Sequence, residues 1–134
     1  MNPVLLLCFV FAITYVDCTL TVEQLERLTE YSRACRAETG ATISQVTRAI
    51  AGYFDDDPKL KAQLYCISRK VGFQNDVGDM VLDVIREKIA SIITDPHMVD
   101  ELIELCAIKQ ATPEETAYIT LKCYLDKRGI NFIH

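Results

Sequence analysis

Apolar residues recur along this chain at intervals of three and four, and no run alternates with a period of two. The spacing predicts helices throughout. Leu25, Leu28 and Tyr31 begin the first stripe, opened by a capping box from Thr21 to Gln24 and closed at Gly40. Ile43, Val46 and Ile50 share one face of a shorter second helix over about 43–51, with Gly52 after it. Asp57 and Pro58 read as the cap and first residue of a third, which carries Leu60, Leu64, Ile67 and Val71 as far as Gly72. A fourth is expected from Asn75 or Asp76. Its stripe of Val77, Met80, Val81, Val84, Ile85, Ile89 and Ile92 is wide enough to predict burial on more than one side. Asp95-Pro96 opens a fifth helix presenting Val99, Leu102, Ile103 and Cys106. Thr112-Pro113-Glu114-Glu115 opens a sixth, again with capping-box spacing, which presents Ala117, Ile119, Leu121 and Leu125 before Gly129. The closing INFIH is apolar and carries no helix signal. The expected fold is all-α, one domain of about six short helices with no internal repeat or linker.

The first 18 residues, MNPVLLLCFVFAITYVDC, break this pattern. Val4–Val16 is uncharged but too short to span a bilayer, and Val16 and Cys18 are small enough to flank a cleavage site. Residues 1–18 are therefore expected to be a secretory signal. No later apolar run is long enough to cross a membrane, so 19–134 reads as one extracellular domain with no membrane insertion.

Removing the signal changes the cysteine count. Cys8 and Cys18 leave with it, and four remain, Cys35, Cys66, Cys106 and Cys123, separated by 30, 39 and 16 residues. An even number in a secreted chain points to disulfides, with three connectivities open. Zinc needs clustered ligands, which this spacing lacks. A catalytic thiol needs a base, and His97 and His134 are the only histidines.

Charge excludes one class of partner. With Asp17 gone, the 19 acidic residues become 18 against 14 basic ones, and the basic residues are interleaved with acids, as in ERLTEYSRACRAE. A nucleic-acid binder would need a basic stripe. The DDD of residues 55–57 lacks the alternating pattern of a calcium loop and is read as a helix start. Glu114 and Glu115 are adjacent, so they point apart, and acids suit the first turn of a helix. With no GxSxG, HExxH or paired-histidine pattern, the chain is not expected to be an enzyme. No cofactor or metal is implied.

The signal, the six helices and the cysteines in helices one, three, five and six together resemble the insect odorant-binding proteins. That family typically has six cysteines, the second and third separated by three residues and the fifth and sixth by eight. Counting back from Cys66 and Cys123 lands on Ala62 and Glu114. The flanks agree, since KAQLYCI is similar to the family's KCxxxCI and ETAYITLKCY to its CExAYxxxxCY. The two absent cysteines are partners of each other in the family, so the chain resembles its four-cysteine, minus-C branch over the whole of 19–134.

The resemblance implies Cys35–Cys66 and Cys106–Cys123 pairs stapling the helices around an internal hydrophobic cavity. It implies a carrier that binds and transports a small hydrophobic molecule such as an odorant or pheromone. Leu64, Met80, Val84, Ile85, Ile89, Met98, Leu102, Leu121 and Phe132 are the candidate lining residues, with the tail 130–134 expected to pack over or into the cavity. A membrane odorant receptor or a homodimer partner is the further candidate partner. The alternative is a secreted helical interaction protein, or a scavenger of small mediators with no olfactory role.

Overall fold

Asp57 and Asp95 start helices by the same device. Each carboxylate accepts the backbone N–H two residues on, Asp57 from Lys59 at 2.8 Å and Asp95 from His97 at 2.9 Å, with proline at the first helical position. A computed structural model of the chain describes the backbone over residues 22–133 and the side chains over 26–127. Among the described residues there are six helices: α1 (Val22–Thr39), α2 (Ile43–Ile50), α3 (Pro58–Lys70), α4 (Leu82–Ala90), α5 (Pro96–Cys106) and α6 (Pro113–Ile133). The domain is all-α. The expected signal segment and the Thr21 cap lie outside the described residues.

Thr42 forms a full capping box at the start of α2, exchanging bonds with Gln45 at 3.0 Å in both directions. The expected face of α2 is only partly right, because Val46 and Ala49 are buried while Ile43, in the first turn beside the surface cap, is 63% exposed. Thr112 accepts from Glu115 N–H at 3.1 Å, but the reciprocal half of that box is not made. The Glu115 carboxylate is paired with Lys61 of α3 instead.

Two boundaries differ from expectation. The fourth helix does not begin at Asn75; it begins at Leu82, and residues 73–81 form a tight loop closed by a Gln74–Met80 bridge and by Val81 N–H to Phe73 O at 2.8 Å. Asn75 Oδ1 accepts from Val77 N–H at 3.1 Å and Asp79 N–H at 2.9 Å, taking donors a helix would have used. Gly78 then sits at φ +89°, which no helix interior permits. Val77 is left 73% exposed at the tip, and α4 fully buries only Ile85, with Val84 and Ile89 half-buried. It is an amphipathic helix with one inner face, not one buried on several sides.

The sixth helix does not end at Gly129 but continues to Ile133. A lone glycine costs a helix about 1 kcal/mol, too little to stop it without a proline or a left-handed turn. The side chains of the tail, including Phe132, lie outside those described.

The helices pack α1 on α3, α3 on α6, α6 on α5 and α5 on α4. Two of these contacts are covalently stapled. Cys35–Cys66 joins α1 to α3 with Cα atoms 5.8 Å apart, and Cys106–Cys123 joins α5 to α6 at 5.4 Å, the pairing the resemblance implied. Buried Gln63 adds a polar tie between α3 and α1, donating to Ser32 O at 3.0 Å and accepting from the Thr39 hydroxyl at 2.9 Å.

Candidate ligand-binding site

The apolar interior falls into two clusters. The first joins Ala49, Leu60, Leu64, Tyr65, Ala117 and Tyr118, with Phe54, Ile119 and Leu121 packed on it. The second has a buried floor of Ile85, Ile93, Val99, Leu102 and Ile103. Over that floor lie half-buried Phe73, Met80, Ile89, Ile92, Met98, Ala107 and Tyr124. The second cluster draws on the 73–81 loop, α4, the α4–α5 connector, α5 and α6. Its half-buried residues keep part of their apolar surface uncovered, surface that a small apolar molecule would take out of water.

Five of the nine residues expected to line a cavity meet here: Met80, Ile85, Ile89, Met98 and Leu102. Leu64 and Leu121 belong to the first cluster. Val84 is half-buried beside Gly72 and belongs to neither. Phe73 and Tyr124 are members the sequence reading missed, and Ile92, expected on the stripe of the fourth helix, was not among the expected lining residues. Phe73 follows Gly72 into the loop, where no helical period marks it, and Tyr124 sits beside Cys123, whose disulfide was the louder signal.

Charge is kept to the edges of this cluster. Arg86 of α4 is paired with Asp100 of α5, and Lys109 reaches Asp79 of the loop at 3.0 Å, all four being well exposed. The first cluster carries a denser knot of charge at its border. Lys61 lies between Asp56, at 2.8 Å, and Glu115, with its ammonium 5.1 Å from the centre of the Tyr118 ring. Hydrogen bonds to Asp56 and then to Glu115 hold Lys61 far above its ordinary range, and the Lys61 hydrogen bond holds Asp56 below its own. Burial, followed by the nearby Asp56 charge, raises Tyr118. The Tyr118 ring meets Phe54 edge-on at 5.5 Å, and its hydroxyl donates to Phe54 O at 3.3 Å. Among the described residues no group of three or more His, Cys, Asp or Glu is placed to hold a metal, and no helix is long and apolar enough to cross a membrane.

The sequence profile of the PBP/GOBP family matches residues 18–127. The chain belongs to this family. The B2 protein of Tenebrio molitor is 35% identical over 106 residues, which is 79% of this chain and 83% of that protein. Among solved structures of the same fold is the THP12 carrier protein of the yellow mealworm, 35% identical with a TM-score of 0.58, covering 72% of this chain and 90% of that one. Odorant-binding protein 7 of Anopheles gambiae, solved in complex with an azo compound, is 27% identical with a TM-score of 0.63. The match covers 86% of this chain and 95% of the mosquito protein, which has four disulfide bridges. As a member of the PBP/GOBP family the chain is a small-molecule binder of the carrier type, not an enzyme.

Proposed function

We propose that residues 19–134 form a secreted carrier that encloses a small hydrophobic molecule, an odorant, pheromone or similar compound, against the second apolar cluster. The observation that supports this most is the half-buried layer of Phe73, Met80, Ile89, Ile92, Met98 and Tyr124 over a buried floor. Met80 and Met98 supply walls that re-pack around different shapes. Relatives point the same way, since THP12 is named a carrier protein and the mosquito protein was solved with an azo compound. Of the nine residues expected at the cavity, Met80, Ile85, Ile89, Met98 and Leu102 form the proposed site, Phe132 of the tail is proposed to close it, and Leu64, Val84 and Leu121 support it from outside.

Secretion rests on residues 1–18 acting as a removed signal, with the mature chain starting at Thr19. Native mass spectrometry of the protein purified from its own source tests the proposal. A bound small molecule supports it. A stable complex with another protein and no bound small molecule would favour a secreted interaction protein instead.

A further inference from the structure

Thr120 of α6 carries a strong hydrogen-bond donor against a poor acceptor. Its hydroxyl faces the thioether of Met80, Oγ1 to Sδ 3.8 Å, and both residues are half-buried. Thioether sulfur accepts hydrogen bonds only weakly. Thr116, one turn earlier on the same helix, donates instead to Thr112 O at 2.9 Å, the usual recourse of a helical threonine. Tyr124, one turn later, lays its ring on the second cluster. Thr120 thus stands on the stretch of α6 that borders that cluster, beside a flexible side chain that can move aside.

We propose that Thr120 is the polar anchor and specificity-determining residue of the site, selecting neutral apolar molecules that carry one oxygen function, such as an alcohol, ester, aldehyde or ketone. This rests on the carrier reading above. An oxygen of the bound molecule replaces Met80 sulfur as the acceptor, trading a weak hydrogen bond for an ordinary one.

A carboxylate in the same place would need a counter-charge. Two cations bordering the cluster are occupied, Arg86 of α4 by Asp100 and Lys109 by Asp79. Lys88 on α4 and His97 in the first turn of α5 are exposed. On α6, exposed Lys122 has its ammonium 6.0 Å from the centre of the Tyr118 ring, in the first cluster, and exposed Lys127 lies seven residues beyond Thr120, about 10 Å along the helix. A neutral oxygen needs only the one donor.

Competition against a bound fluorescent naphthylamine at neutral pH tests this, using residues 19–134 with octanol, octane and octanoate on the parent chain, Thr120→Val and Thr120→Ser. The parent should prefer octanol to both others. Thr120→Val keeps the shape and removes the hydroxyl, so octanol should weaken about three- to tenfold while octane is unchanged. Thr120→Ser should retain the preference. An octanol preference that survives in Thr120→Val, or octanoate binding better than octanol, overturns the anchor while leaving the carrier intact. Failure of the probe and of all three compounds to bind the folded parent overturns both.

Discussion

Lys61 of α3 is ion-paired to Glu115 of α6, across the most extensive helix contact in the fold, which no disulfide staples. Each is the immediate neighbour of a position, Ala62 or Glu114, where the resemblance places the absent third bridge. Ala62 and Glu114 are half-buried on the same two packed helices. The double substitution Ala62→Cys with Glu114→Cys should therefore oxidise spontaneously. Closing a loop of about 50 residues should raise stability by up to ~4 kcal/mol, less the lost first-turn carboxylate. Thiol titration and denaturant unfolding check it, and two thiols left free under oxidising conditions would remove the alignment.

The Lys61 knot makes stability depend on pH in a defined direction. Asp56, held below its ordinary value by Lys61, stabilises the fold above about pH 4 and loses that contribution as the solution becomes more acid. Lys61 is raised by Asp56 and Glu115, and Tyr118 by burial, so both contribute fully below about pH 10 and lose their contributions as pH climbs further. Thermal midpoints should decline on both sides of neutrality. Lys61→Met should remove much of the alkaline decline, and the wild-type midpoint should fall in high salt because the pairs are partly exposed. An alkaline limb unchanged by Lys61→Met would contradict the assignment.

Gly78→Ala should be strongly destabilising. A Cβ there would lie 2.7 Å from the Cβ of Pro113, and the backbone is at φ +89°. The conformation alone costs about 1–3 kcal/mol for a residue with a side chain, and relief of the clash must move the start of α6. Buried Gln74, which donates to both Gly78 O and Pro113 O at 3.2 Å, would lose its geometry. Urea unfolding measures the loss, and a variant as stable as the parent would show that the loop is not held against Pro113.

Floor and cover of the second cluster should respond differently to truncation. Leu102 is 4% exposed, so Leu102→Ala should cost about 2–5 kcal/mol of stability. Met98 is half-buried in the same cluster, so Met98→Ala should cost less stability and change probe affinity more. Parallel unfolding and binding titrations of the two variants decide it. Equal effects on both quantities would mean that the cluster is ordinary core.

The parts legible from sequence are those with local causes. Asp57-Pro58 and Asp95-Pro96 mark helix starts because cap and proline act on adjacent backbone, and Val99, Leu102, Ile103 and Cys106 are all buried as the period required. The start of α4 was hidden because Val77, Met80 and Val81 mimic a helical stripe while Asn75 and Gly78 fold the backbone into a loop. Gly129 looked like a stop, but nothing beyond it forces a turn, and α6 runs on. Part of the second cluster is non-local: Phe73 and Tyr124 join Met80 only once the loop and α6 are brought together.

Titrating the oxidised mature chain, residues 19–134, with a fluorescent naphthylamine tests the carrier account most directly. The account predicts a blue-shifted, saturable rise at about one probe per chain, reversed by small neutral apolar molecules and weakened by Met98→Ala. A folded protein with both disulfides formed that gives no saturable signal, or whose signal no small molecule displaces, would contradict it.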